Sequence, residues 1–268
     1  MTYENNPWEK MCLLALREHS PQTRILGYQH TVTPHASVNM FISAEEEGVI
    51  PKPDRVLTVG AGPKEIIERY TQISSLPIQA ACALRYENLW ELDPLPRSKT
   101  FKVLLALEGI VDVYKMVNYV LQQLDGQQKY KIIIRTHPVL PIRSFVHKLV
   151  KKLAVLPFVE ISQGHSIIED IERTDMTIYW GSTVALESLW MGKPAIHFDM
   201  ETLFSYDPLF DCSHLKWKVN LHQNLIPVLE EIYALSDENY LLEHNKAKEY
   251  LQKYFYPVNK QNLAIFLS

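Results

Sequence analysis

Residues 176–199 read MTIYWGSTVALESLWMGKPAIHFD, and this stretch decides the fold. Residues 176–179 are a short apolar run suited to a buried strand, the small turn Gly181-Ser182-Thr183 follows, and residues 184–191 make a short helix closed by Gly192. Residues 194–198 (PAIHF) then return to an apolar strand. Strand, helix and strand joined this tightly form a βαβ unit, which implies parallel pairing.

The same alternation extends upstream to Lys99. Residues 101–107 (FKVLLAL) read as a buried strand, and residues 111–124 carry Val113, Val117, Val120, Leu121 and Leu124 near helical spacing before Asp125-Gly126 stops the helix. Residues 131–135 (KIIIR) are a second strand, 142–155 a helix with a basic outer face, and 158–161 a third strand. Ser166 caps the next helix, with Glu169 three positions on as its capping-box partner. Five strands alternating with helices over residues 99–199 predict an α/β fold built on a doubly wound parallel sheet. Further upstream, residues 24–29 and 55–59 read as strands and 64–70 as a helix, a partial α/β region that the Pro-containing linker at residues 93–98 (DPLPRS) separates from the rest. The expected division is therefore 1–98 and 99–268. Beyond Asp199 the chain reads as mostly helical, with amphipathic segments at 225–235 and 240–255.

Composition narrows the function classes. Of the 268 residues 47% are hydrophobic and 22% charged, enough to bury a real core. A net charge of -4 leaves no cationic excess for a phosphate backbone, so nucleic acid is not an expected partner. Cys12, Cys82 and Cys212 lie far apart without CxxC spacing, which suggests neither disulfides nor a zinc site. There is no D-x-D, H-E-x-x-H or G-x-S-x-G, so neither a metal site nor a serine hydrolase is expected. The start of the chain carries Glu4, Glu9 and Lys10, unlike a signal peptide, and no apolar stretch reaches membrane-spanning length. A cytoplasmic setting is expected, with at most peripheral contact with the inner face of a membrane or with an assembly complex.

Ligands of an open parallel sheet bind beyond the carboxyl ends of its strands. There the sequence places Glu108-Gly109, Thr136-His137-Pro138, Gly164-His165-Ser166 and Gly181-Ser182-Thr183. Ser182 and Thr183 open a helix, where hydroxyls and backbone N–H groups suit a phosphate; a plain helix cap accounts for them equally well. Pro138 holds His137 extended, so its imidazole points off the sheet edge toward a phosphate or a base; taken alone, a His-Pro pair is more often a surface feature. Glu187, one turn into the helix, can accept both hydroxyls of a ribose or form a salt bridge on the helix face.

Residues 180–199 resemble the nucleotide-binding segment of GT-B glycosyltransferases, in which a small hydroxylated turn, a Glu on the next helix and a G-x-P recur. With Thr136-His137-Pro138, the chain from Lys99 onward is similar to the bacterial surface-polysaccharide branch: sialyltransferase-like, Kdo-transferase-like and CDP-glycerol-transferase-like enzymes. Gly27-Tyr28-Gln29-His30-Thr31 resembles a cleft-facing G-x-Q-H-G loop of these enzymes, with Thr31 where Gly is usual. The resemblance implies a metal-independent transferase with no cofactor, a CMP- or UDP-type nucleotide-sugar donor, a glycan acceptor and His30 as the catalytic group. Against such enzymes the N-terminal region is incomplete, so the chain is expected to be either a natural short form or, the favoured reading, the C-terminal portion of a longer enzyme. The alternatives are a non-catalytic nucleotide-sugar-binding module and a nucleotide-sugar 2-epimerase. Val59-Gly60-Ala61-Gly62-Pro63 lacks the third glycine of a dinucleotide fingerprint and reads as a plain strand-to-helix turn.

Overall fold

A computed structural model describes residues 1–139, 156–164 and 166–267; the helix expected over 142–155 lies outside them. The chain divides into two compact units, residues 1–91 with 249–268, and residues 92–248.

The first unit opens with helix α1 (Pro7–His19), whose start is fixed by a capping box: Asn6 N donates to Glu9 Oε2 at 2.8 Å. Strands β1 (Leu26–Tyr28) and β2 (Arg55–Thr58) are followed by helix α2 (Ala61–Tyr70) and strand β3 (Ile78–Ala80). The strands form a three-stranded parallel sheet in the order β1-β2-β3. Tyr3, Leu13, Ile25, Ile42 and Val56 pack its core. All three residues of β3 are only half-buried, so no apolar run announced the strand in the sequence.

The second unit alternates strands and helices: β4 (Lys102–Ala106), α3 (Val113–Leu124), β5 (Lys131–Arg135), β6 (Val159–Ile161), α4 (Ile167–Glu172), β7 (Met176–Tyr179), α5 (Val184–Trp190) and β8 (Ala195–Asp199). Strand β9 (Lys216–Asn220) and helices α6 (Leu225–Ala234) and α7 (Asp237–Tyr254) follow. The six-stranded sheet has the order β6-β5-β4-β7-β8-β9. Every pair is parallel. The five expected strands are present, and β9 adds a sixth at the edge, in a region read as helical. Its sequence, KWKVN, buries only Val219, so it carries little apolar signal.

Both faces of this sheet are covered. Val103, Leu105, Ile132, Ile134, Ile178 and Ile196 share one cluster with Val117 and Leu124 of α3 and Leu229 of α6. Leu104 and Ile133 face the other way, onto Ile171 and Met191. Burial on two faces is why these strands read as continuous apolar runs instead of alternating ones. Each fully buried Val, Leu or Ile contributes about 1.5–3 kcal/mol. Gly192, at φ 78°, ends the α5 segment in the left-handed conformation that glycine adopts most readily.

The last twenty residues, including the end of α7 and helix α8 (Lys260–Ala264), belong to the first unit. Tyr254 and Phe255 are fully buried there. Tyr256 N donates to Val59 O at 2.9 Å, and Tyr254 OH accepts from Thr33 N at 2.9 Å. A Cβ on Gly60 would stand 2.2 Å from Tyr254 O, and one on Gly62 3.1 Å from Tyr254 Cα. The glycines of the 59–63 turn thus make room for the chain's own residues 253 and 254.

Candidate functional site

In the second unit the sheet order reverses between β4 and β7, and the crevice outside the carboxyl ends at such a switch point is where open α/β sheets bind ligands. Glu108 and Gly109 follow β4, His137 follows β5, and Gly181, Ser182 and Thr183 follow β7, so parallel pairing sets all of them on one rim.

Glu108 lies at the switch point itself. Its Oε1 accepts from Gly181 N at 2.6 Å and from Trp180 N at 3.3 Å. Burial lifts the carboxyl to a pKa of about 7, against the opposing pull of these backbone N–H groups. A carboxyl so placed changes charge near neutrality, a property that clusters at functional sites. A Cβ on Gly109 would stand 2.9 Å from His137 Nδ1, so the absence of a side chain lets the imidazole lie against the backbone. Val139 N donates to His137 Nδ1 at 3.2 Å, which assigns the ring proton to Nε2 and makes that atom a donor. Pro138 beside it is exposed.

On the opposite flank, Gly181 is packed by the loop after β8. A Cβ there would meet Tyr206 Cβ at 3.0 Å and Tyr206 O at 3.2 Å, and the Tyr206 ring lies 5.0 Å from that of Trp180. Ser182 Oγ accepts weakly from Val184 N at 3.4 Å, while Thr183, the N-cap of α5, makes no side-chain cap hydrogen bond. The hydroxyls are therefore poorly used as caps. Glu187 stands half-buried one turn on, between the buried Leu186 and Ser188.

The other expected rim residues are engaged differently. Gly164 and Ser166 follow β6, two strands from the switch point. Gly164 O accepts from Arg135 Nη1 at 2.7 Å and Gly164 N donates to Ser162 Oγ at 3.1 Å. Ser166 caps α4 by accepting from Glu169 N at 3.3 Å. His165 lies outside the described residues. His30 belongs to the first unit, where its Nδ1 stands 3.4 Å from Glu4 Oε1. Thr31 does not take positive φ, and its hydroxyl donates to the same Glu4 oxygen, a contact glycine could not make.

Two clusters near this rim were not legible in the sequence. Arg135 ends β5 and reaches the fully buried Asp170 at 3.0 Å, with Ser162 Oγ also on that carboxylate. Asp207 accepts from Tyr179 OH at 2.8 Å and Leu209 N at 2.9 Å, pairs with Lys216, and stands 3.8 Å from His197 Nδ1. Burial pushes the His197 imidazole below its ordinary pKa. Only an Arg at the end of an apolar strand, and a His inside one, hinted at either. A cavity of about 330 Å³, lined by residues including Gly126, Tyr130, Lys131 and Phe158, opens at the amino ends of β5 and β6, away from the switch point. Among the described residues no cluster of His, Cys, Asp and Glu is arranged to hold a metal ion, and no helix is long and apolar enough to cross a membrane.

Neither a family model nor a curated protein sequence matches the chain. Solved glycosyltransferase structures do share its fold. A GtfA/B complex superposes with a TM-score of 0.60 at 11% identity, over 95% of this chain and 54% of that one. A TarM variant from S. aureus, in complex with Fondaparinux, alpha-GlcNAc-glycerol and UDP, gives 0.56 at 12% identity over 90% and 50%. A glycosyltransferase from Rickettsia africae ESF-5 gives 0.56 at 13% identity over 99% and 83%. The chain thus spans about half the length of the first two. The fold is the Rossmann-like, parallel-sheet α/β architecture of GT-B glycosyltransferases.

Proposed function

We propose that this chain binds a nucleotide-activated sugar, of CMP or UDP type, at the carboxyl rim of its six-stranded sheet and acts in transfer of the sugar, or of a polyol phosphate, to a glycan acceptor. The observation that carries this reading is the convergence of Glu108, His137 and the Gly181-Ser182-Thr183 turn at the switch point. His137 Nε2–H and the hydroxyls of Ser182 and Thr183 are donors suited to phosphate, and Glu187 is an acceptor suited to ribose. Glu108 and Gly109 shape the floor between them. In the first unit, His30 is the candidate base for an acceptor hydroxyl, with Glu4 beside it. Helix N-termini and side chains, without a metal, would carry the leaving phosphate. Bacterial surface-polysaccharide synthesis at the cytoplasmic side of the envelope is the setting this reading implies.

Calorimetric titration with CMP, CDP and UDP, followed by assay of nucleotide release in the presence of a glycan acceptor, tests binding and turnover separately. His137→Ala should weaken nucleotide binding by about 1–3 kcal/mol in a folded protein; unchanged affinity would remove His137 from the phosphate site. Glu187→Gln should lower affinity for a ribonucleotide more than for its 2′-deoxy counterpart, because only the first donates a 2′-hydroxyl to the carboxylate. Equal losses across the CMP pair and the UMP pair would leave Glu187 a structural role. A second reading is a nucleotide-sugar-binding module without turnover. It predicts binding in the titration and no nucleotide release.

A further inference from the structure

Above pH 7, where Glu108 is ionised, the turn that would greet a phosphate already holds a carboxylate. A strand-to-helix turn offers its backbone N–H groups to negative charge. Here the N–H groups of Trp180 and Gly181 both donate to Glu108 Oε1, at 3.3 and 2.6 Å. The turn is hemmed in from the other side, because Tyr206 packs directly on Gly181. The second carboxylate oxygen, Oε2, is buried and has no hydrogen-bond partner among the described residues. The interactions that favour the ionised carboxyl are all backbone N–H contacts, with no cation among them. No salt bridge joins Glu108 to a cation among the described residues, so its negative charge, when present, has only backbone N–H groups to offset it.

We infer that Glu108 is the charge filter of this site: its carboxylate occupies the N–H groups of the Gly181 turn and keeps a ligand's phosphate off them, confining phosphate to the flank formed by His137 and the hydroxyls of Ser182 and Thr183. The inference rests on the nucleotide-binding reading of the rim and adds a specificity-determining residue to it. Two like charges a few ångströms apart in a partly buried crevice repel strongly, so an anion cannot share these N–H groups with an ionised Glu108. A ligand that presents a neutral group at the switch point and its phosphate beside His137 fits the arrangement.

The test is calorimetric titration of inorganic pyrophosphate and UDP, at pH 8, into the wild type, Glu108→Gln and Glu108→Ala. The first variant removes the charge and keeps an oxygen for Gly181 N–H, so it preserves the local fold; the second empties the turn. Both should bind pyrophosphate about fivefold or more tightly than the wild type does. A gain in the variants upholds the filter even where wild-type binding is too weak to measure. Wild-type UDP binding with unchanged or weaker pyrophosphate binding in Glu108→Gln overturns the filter and leaves the rim reading standing. Absence of binding by all three proteins overturns both.

Discussion

Arg135→Ala is expected to destabilise the second unit by about 3–5 kcal/mol, the range for breaking a buried ion pair from one side. Asp170 is fully buried, and Arg135 Nη1 lies 3.0 Å from its Oδ2. Without the guanidinium, the carboxylate keeps Ser162 Oγ and the more distant charge of Arg173 but loses its hydrogen-bonded counter-charge, and its desolvation is left largely unrepaid. The same nitrogen also donates to Gly164 O and Ser166 O, so the loop after β6 loses its tether as well. Urea unfolding of the single variant, and of a double variant in which Met replaces Arg135 and Leu replaces Asp170, separates these effects. The double variant should recover much of the loss, since an apolar pair removes the stranded charge. A single-variant loss below about 1 kcal/mol, the level of a surface pair, would refute the assignment.

Stability should also fall with rising pH through Glu108. Its folded pKa, about 7, lies above the ordinary 4.5. The folded state therefore holds the proton more tightly than the unfolded chain does, so the protonated group favours folding most below pH 4.5. That contribution declines as pH rises from about 4.5 to 7 and is lost above it. At 1.36 kcal/mol per pKa unit the full swing is about 3 kcal/mol. Glu108→Gln cannot ionise and should lack this component. Unfolding free energies of both proteins at pH 5 and pH 8 capture most of it: the wild type should lose about 2–3 kcal/mol more across the interval than the variant. Parallel pH profiles would show that the carboxyl titrates normally.

Strand and helix identity in the second unit was readable because the sheet is buried on both faces. KVLLA and KIIIR have no polar alternation to confuse with a helix, and Gly126 and Gly192 mark stops by their positive φ. The residues at strand ends could be named for the same reason, since parallel order sends every carboxyl end to one rim. Which of them meet was not readable. The placement of β4 beside β7, which joins Glu108 to Gly181, is a tertiary choice between residues 73 positions apart. Likewise nothing local predicts that Gly164 serves Arg135, or that Tyr206 packs on Gly181. Strands β3 and β9 escaped because short, half-exposed segments carry too few apolar residues to show a period.

The return of residues 249–268 to the first unit sets an order on synthesis. Tyr254 and Phe255 are interior residues of a unit whose other ninety-one residues leave the ribosome first. The packing around β1, β2 and β3 stays incomplete, with the Gly60 turn unfilled and Val59 O lacking its Tyr256 partner, until residues 92–248 have emerged. The amino-terminal unit is thus the last to close, the reverse of the usual vectorial order of domain folding. A nascent chain halted before residue 249 should hold a protease-resistant second unit beside a protease-sensitive first one. For the same reason, cutting the gene at residue 91 would not yield two independent halves.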